Sequence, residues 1–225
     1  MMTGSDDLLR ATRQALAEAS AGFAEVLRRV PDASVPAVGE WSIGETAAHV
    51  AASGPFLLAV ARGSEEPTDL GEVAAHNAGL LAGDPERDPA VLADRIEAAE
   101  AEFAAYLASV EGDPEIMVFR GVRAPLSTLV AVAAGELLVH GYDIAGASNQ
   151  PWPIRRVHAA PTATALLHLL PHLVDPDQAG GLTARFEIRV RGGGTAVMAF
   201  EDGTAELTAP SEDSVDSRIS VDPGP

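Results

Sequence analysis

The stretch at residues 125–147 constrains this chain more than any other. It is apolar with helical character, yet it carries Glu136, His140 and Asp143. On a helix Glu136 and His140 are four residues apart, so they project from one face a turn apart, and Asp143 extends the same stripe. Two donor atoms so related can hold one metal ion if a third arrives from elsewhere in the chain. His49 is the candidate that supplies it.

Glu40-Trp41-Ser42-Ile43-Gly44-Glu45 has the form of a helix start. Ser42 with Glu45 three residues later is a capping-box pattern, and Trp41 is placed to act as a hydrophobic staple. The helix then begins near Ile43, and His49 falls in its second turn. Glu136, His140 and His49 together would form a His₂Glu tripod. Three protein ligands leave a position for water or substrate, as in catalytic rather than closed structural zinc sites. The competing reading is plain: Glu-x-x-x-His is a common accident, and a lone histidine beside Ala47, Ala48 and Val50 is often a hydrogen-bonded core residue. Gly135 and Gly141 each cost about 1 kcal/mol relative to alanine inside a helix, which close approach of another element or a ligand would explain. Asp143 is a candidate to orient His140 as a hydrogen-bond acceptor, to cap a neighbouring helix, or to pair with an arginine.

Other candidates are weaker. His76 is a spare third ligand on a short helix expected near residues 70–82. His168 and His172 form a His-x-x-x-His pair, but Pro171 interrupts the helical ladder between them and no carboxylate falls in register; they read as the edge of a packed helix. No Gly-x-Ser-x-Gly context marks a serine nucleophile. Gly192-Gly193-Gly194 reads as a turn, since no phosphate-binding pattern follows it.

Composition excludes several classes. The chain has 225 residues, enough for one large domain or two small ones, and 33 acidic against 15 basic residues give a net charge of −18. Such a surface repels phosphate backbones and anionic membranes, and 4% aromatic residues leave little for base stacking. Nucleic acid and membrane are therefore not expected partners. There is no cysteine, which removes disulfides, zinc–thiolate sites and a cysteine nucleophile, and fits a cytoplasmic location. The acidic start reads as no signal peptide, and no uninterrupted apolar run approaches the ~20 residues of a membrane span. Every basic residue is arginine, which together with the abundant alanine, glycine and proline points to a GC-rich bacterial genome.

Around the candidate site the pattern predicts four main helices. The first is capped by Ser5, runs through Leu8, Leu16, Phe23 and Leu27, and stops by Pro31. The second starts near Ile43 and is kinked or ended by Gly54-Pro55. The third opens with Asp88 as cap and Pro89 at the first helical position, and runs through Leu92, Ile96 and Phe103. The fourth runs from Pro125 to about Ala147. Residues 111–124 read as irregular or as containing a short extended piece (Ile116 to Phe119). Four such helices favour a bundle over residues 1–148. Residues 149–155 read as a linker, and residues 156–225 as a small α+β unit. In it, one helix at about 156–174 precedes strands at 183–191, 195–201, 205–208 and 217–221, with turns at Gly192–Gly194 and Asp202-Gly203.

The stretches Trp41-Ser42-Ile43-Gly44-Glu45-Thr46-Ala47-Ala48-His49-Val50 and Gly135-Glu136-Leu137-Leu138-Val139-His140-Gly141-Tyr142-Asp143 resemble the two signature regions of the mycothiol-dependent maleylpyruvate isomerase family of actinobacteria. The resemblance covers residues 5–148 and implies a DinB-like metal-binding four-helix bundle. It also implies that His49, Glu136 and His140 bind a divalent metal, usually taken as zinc. The C-terminal unit resembles, more weakly, that family's sterol-carrier-like α+β domain. There the resemblance implies further helical sequence after the stretch Ser217–Pro223, so this unit reads as shortened at its C-terminus.

The expected function is then a metal-dependent enzyme using a low-molecular-weight thiol, mycothiol. With no cysteine of its own, a chain that performs thiol chemistry must take the thiol from a small co-substrate. Its second partner is a small electrophile, either isomerised as maleylpyruvate is or made the acceptor of an S-transfer. A metal-dependent hydrolase using water, and a non-catalytic small-molecule carrier with an apolar pocket in the C-terminal unit, are the alternatives.

Overall fold

The computed structural model describes the backbone of residues 5–223, with side chains from Asp6 onward. Helix α1 (Ser5–Leu27) follows its apolar spacing and ends before Pro31. The cap expected from the Ser5 side chain, and residues 1–4, lie outside the described residues. Strands β1 (Pro36–Val38) and β2 (Trp41–Ser42) form a small antiparallel ribbon that leads into α2 (Ile43–Ala61).

The capping box at the start of α2 is present in full. The Glu45 amide donates to the Ser42 hydroxyl at 3.3 Å, and the Ser42 amide donates to Glu45 Oε2 at 2.8 Å. Of the kink or end that Gly54-Pro55 predicts, the end does not occur: the pair lies inside the helix, which runs on to Ala61. Leu57, Leu58 and Val60 beyond it are buried. Three aliphatic side chains at about 1.5–3 kcal/mol each outweigh the roughly 3 kcal/mol that an interior proline costs.

A short 3₁₀ turn (Leu70–Glu72) precedes α3 (Val73–Gly83). Helix α4 (Pro89–Ala108) starts where the Asp88-Pro89 pair predicts, with the Asp88 carboxylate accepting from the Ala90 amide at 2.8 Å. The stretch expected to be mostly irregular is a hairpin of β3 (Glu115–Phe119) and β4 (Val122–Pro125). It delivers the chain into α5 (Leu126–Ala147), where Pro125 occupies the cap position and offers no side-chain acceptor. Asp113 supplies one from across the hairpin, accepting from the Ser127 amide at 2.8 Å.

Helices α1, α2, α4 and α5 share one apolar core containing Phe23, Ile43, Leu92, Phe103, Leu126 and Leu129. Both ribbons touch α2 and α5, so each of the two site helices is held at its N-terminal end by a short piece of sheet. Helices α2 and α5 are long and apolar enough to cross a bilayer by length and composition, but 67% and 56% of their apolar windows are buried inside the molecule. Their apolarity is that of core helices.

Residues 149–155 are irregular, as expected of a connection, yet they are tied to the bundle. The Trp152 indole N–H donates to the Leu138 carbonyl at 2.9 Å, and its ring meets Phe23 edge-on with centroids 6.3 Å apart. Helix α6 (Arg156–Leu166) lies against α1 and α5. The single helix expected to about residue 174 tightens into a 3₁₀ segment (Leu167–Leu173) that contains Pro171. A short helix, α7 (Pro176–Ala179), follows, capped by Asp175. The alternating stretches then form β5 (Ala184–Val190), β6 (Thr195–Glu201), β7 (Thr204–Thr208) and β8 (Ser217–Val221). Their order is β7-β6-β5-β8, with β8 parallel to β5 and the other pairs antiparallel. Ile188, Val190, Ala196 and Met198 face Ala160 and Leu167, giving the sheet a small core of its own against α6.

The two glycines singled out in α5 differ. A Cβ on Gly141 would lie 2.2 Å from the Trp152 ring, so close approach does explain it. A Cβ on Gly135 would meet only Leu166 Cδ1 at 3.9 Å, which is ordinary contact. Gly141→Ala is therefore expected to destabilise the chain by about 1–3 kcal/mol through overpacking. Gly135→Ala is expected to be neutral or to stabilise by up to about 1 kcal/mol. Urea unfolding of the two variants beside the parent chain measures both.

Candidate metal centre

His49 enters the site from α2, seven positions into a helix whose start is set by the capping box. Glu136 and His140 enter from α5, one turn apart on the face turned toward α2. One ligand atom from each of the three lies within 4.8 Å of the others. The contacts centre on a single oxygen: Glu136 Oε2 is 2.8 Å from His49 Nε2 and 3.4 Å from His140 Nε2. The two imidazoles meet edge to face with centroids 5.2 Å apart.

The electrostatics follow from burial and pairing. Burial alone would raise the Glu136 carboxyl, but the bonds from His140 and His49 outweigh it and hold the group down at about 2. His140 moves the opposite way: burial would lower it, and the Glu136 and then Asp143 carboxylates raise it above its ordinary 6.5. Asp143 Oδ2 stands 3.3 Å from His140 Nδ1, the position from which it can orient that ring. Trp41, expected as a staple for the helix start, places its ring 5.3 Å from the His49 imidazole.

The donor set suits a divalent cation. Tetrahedral coordination at about 2.0–2.2 Å puts ligand atoms about 3.4 Å apart. The His140–Glu136 separation already matches this, and the His49–Glu136 hydrogen bond would open by several tenths of an ångström. His49 is 2% exposed and His140 and Glu136 only partly so, leaving one side of the cluster open to a cavity.

The remaining candidates separate. His76 does not join the tripod; it lines a cavity shared with His49 and Glu136, packed against Phe56 with ring centroids 4.4 Å apart. His168 and His172 lie on the 3₁₀ segment, where a spacing of four puts side chains about 120° apart rather than in line. His168 is half-buried and its imidazole is pushed down by burial, while His172 is exposed. A further pair went unforeseen: His158, buried on α6, lies 2.6 Å through Nε2 from Glu18 of α1, with Arg155 nearby. Neither residue stands in a recognisable motif, and 140 positions separate them.

Residues 12–145 match the family model described as the mycothiol maleylpyruvate isomerase N-terminal domain. Two solved structures resemble the whole chain: a mycothiol-dependent maleylpyruvate isomerase, with a TM-score of 0.54, and a histidine-to-alanine mutant of a mycothiol-dependent maleylpyruvate isomerase, with a TM-score of 0.58. Each is 17% identical, and the match covers 97% of this chain and 87% of the other. At that identity the likeness is one of fold: a mostly helical body followed by a small sheet unit. No curated protein matches the chain. The family model spans well over half of the sequence and contains all three residues of the cluster, and on that ground the chain belongs to the mycothiol maleylpyruvate isomerase N-terminal domain family.

Proposed function

We propose that this chain is a divalent-metal-dependent enzyme that uses mycothiol, or a closely related small thiol, to attack a small electrophile. Maleylpyruvate isomerase-like cis–trans isomerisation and thiol S-transfer are its two forms. The observation that carries this reading is the convergence of His49, Glu136 and His140 on one point inside a chain of this family. The chain holds no cysteine, so thiol chemistry requires a thiol from outside.

In this proposal His49, Glu136 and His140 hold the metal, most simply zinc, and Asp143 fixes the His140 ring. A bound divalent cation favours the thiolate form of a thiol, the nucleophilic form. Trp41 shields one side of His49, and the apolar walls of the adjoining cavity exclude water from the reacting atoms. The thiolate adds to an alkene carbon, a C–S bond forms, and the π electrons move to the conjugated carbonyl. Rotation about the resulting single bond and expulsion of the thiolate give the trans isomer with no net change in atoms. With an electrophile that carries a leaving group, the C–S bond persists and the outcome is S-transfer.

A carrier role has one observation of its own. A cavity of about 200 Å³ lies between Leu8 of α1, the α6 region and strands β6 and β7, lined by Leu167, His168, Ala196 and Leu207. It is separate from the tripod, so ligand binding there would not depend on metal.

Protein purified without chelator is expected to carry about one zinc or similar ion per chain, lost in His49→Ala and His140→Ala. Asp143→Ala is expected to weaken metal affinity about 10–100-fold while leaving the ligands in place. Any turnover should require added thiol; turnover without thiol would indicate a hydrolase. Failure to take up Zn²⁺, Fe²⁺ or Ni²⁺ would end the catalytic reading and favour the carrier.

The charge pattern gives a pH test on metal-free protein. Glu136, depressed in the fold, stabilises it above its unfolded value of 4.5, and that contribution is lost as pH falls through about 2. His140, raised in the fold, stabilises it fully below 6.5, and that contribution is lost as pH rises through its elevated value. The stability difference between the parent chain and His140→Ala should therefore be largest between pH 4.5 and 6.5 and shrink above it. Zinc affinity should strengthen over the same rise, since ligation requires the neutral imidazole. Urea unfolding and zinc titration across pH 5–9 measure the two trends.

A further inference from the structure

The thiol addition proposed above moves an electron pair onto the oxygen of a carbonyl conjugated to the alkene, and the pair returns when the thiolate leaves. Away from bulk water that transient oxyanion is costly unless a hydrogen-bond donor already stands beside it. The thiol takes the position left open by His49, Glu136 and His140, so the donor has to come from another wall of the adjoining cavity.

That cavity, about 90 Å³, has His49 and Glu136 at one side and α3 at another. Along α3, Val73, His76, Asn77, Leu80 and Leu81 are partly buried while the residues between them are exposed, the spacing of an amphipathic helix. Asn77 lies in the middle of this inward stripe, where the pattern calls for an apolar residue, and it lines the cavity. An amide in such a place is costly unless something supplies its partner. Among the described residues its side chain makes no hydrogen bond, and its polar atoms are not sealed inside the protein as His76 Nε2 is. Two other polar groups of the lining are committed or peripheral. Ser53 donates to the His49 carbonyl at 2.9 Å, and Thr68 also borders the open cleft outside.

Helix α3 is held in place. Asp69 accepts from the Gly71 amide at 2.8 Å in the turn that leads into it. The Thr68 carbonyl accepts from the Arg120 amide at 3.0 Å, which ties that loop to the β3–β4 hairpin. Phe56 of α2 packs on His76 with ring centroids 4.4 Å apart. A donor on a helix so fixed is oriented before charge develops, which is what makes it effective in the transition state.

We infer that Asn77 is a catalytic residue: its side-chain Nδ2 donates to the carbonyl oxygen of a conjugated electrophile and stabilises the enolate formed by thiol addition. The inference rests on the function proposed above and names the group that faces its negative charge. The electron pair enters the oxygen as the C–S bond forms and leaves it as that bond breaks, and the amide keeps its protons throughout.

Two electrophiles separate this role from a structural one. Maleylpyruvate develops charge on a carbonyl oxygen, whereas methyl iodide, which loses iodide by direct displacement, does not. In the zinc-loaded full chain with mycothiol, Asn77→Ala should lower kcat for maleylpyruvate about 10²–10³-fold and change S-methylation by less than about threefold. Asn77→Asp, nearly the same size but without the donor, should be as slow with maleylpyruvate, and both variants should keep their zinc. In the ¹⁵N-labelled, zinc-loaded parent without thiol, the Asn77 side-chain NH₂ resonances should shift on titration with maleylpyruvate. Isomerisation at the parent's rate in Asn77→Ala, an equal loss with both electrophiles, or resonances that stay in place overturns the assignment. Shifting resonances in a parent chain that turns over neither electrophile with thiol overturn the thiol chemistry instead, and leave Asn77 as a carbonyl-binding group.

Discussion

A carboxylate held between two imidazoles joins the core helices α2 and α5, and the candidate site depends on that contact. Glu136 sits on a helix whose other inward residues are almost all apolar, and removing a charge from water costs several kcal/mol even after relaxation. His49 and His140 offset that by sharing one of its oxygens, which holds the Glu136 carboxyl down and, with Asp143, raises the His140 imidazole. Buried ionic groups of this kind are weak contributors to stability compared with apolar replacements of the same volume.

Holding that contact requires α2 and α5 to be fixed against each other. The β1–β2 and β3–β4 ribbons each touch both helices. Further along, Trp152 lies on Gly141 and donates to Leu138, so the chain leaving the bundle closes over the turn that follows His140. The sheet unit is thereby attached to the site helix through the segment that reads as a linker. Helix α6 extends the attachment by lying against α1 and α5, with the Glu18–His158 pair joining it to α1. The cavity beside the tripod is a product of the same arrangement, bounded by α2, α3, β3 and α5 rather than by any one segment.

Much of this was legible from local pattern. Helix starts at Ser42 and Asp88 follow from side chains that satisfy nearby backbone amides, an interaction spanning two or three residues. Strands β5 to β8 follow from alternation and from turns at Gly192–Gly194 and Asp202-Gly203, where Asp202 and Gly203 adopt positive φ. The tripod was legible as a candidate: Glu136 and His140 announce themselves by spacing on one helix, His49 ranks above His76 because its helix start is marked by a capping box, and the family resemblance points to the same three. What went unread depends on distant partners. Pro55 is carried through α2 by burial of residues beyond it, β4 exists because β3 pairs with it, and the cap of α5 comes from Asp113.

By itself, then, the sequence determined most of the helices, the strands of the C-terminal sheet, the absence of an internal thiol, the strongly acidic composition and, as candidates, the three residues of the cluster. Each of these depends on neighbours within a few positions or on composition, and such information survives in a linear chain. Tertiary structure decided that His49 meets Glu136 from 87 residues away, that Trp152 occupies the space Gly141 leaves, and that His76 faces a chamber next to the cluster instead of joining it. Those outcomes turn on helix packing at distances of a few ångströms. Spacing in one helix cannot carry that information, because the relative placement of two helices is set by the whole core between them.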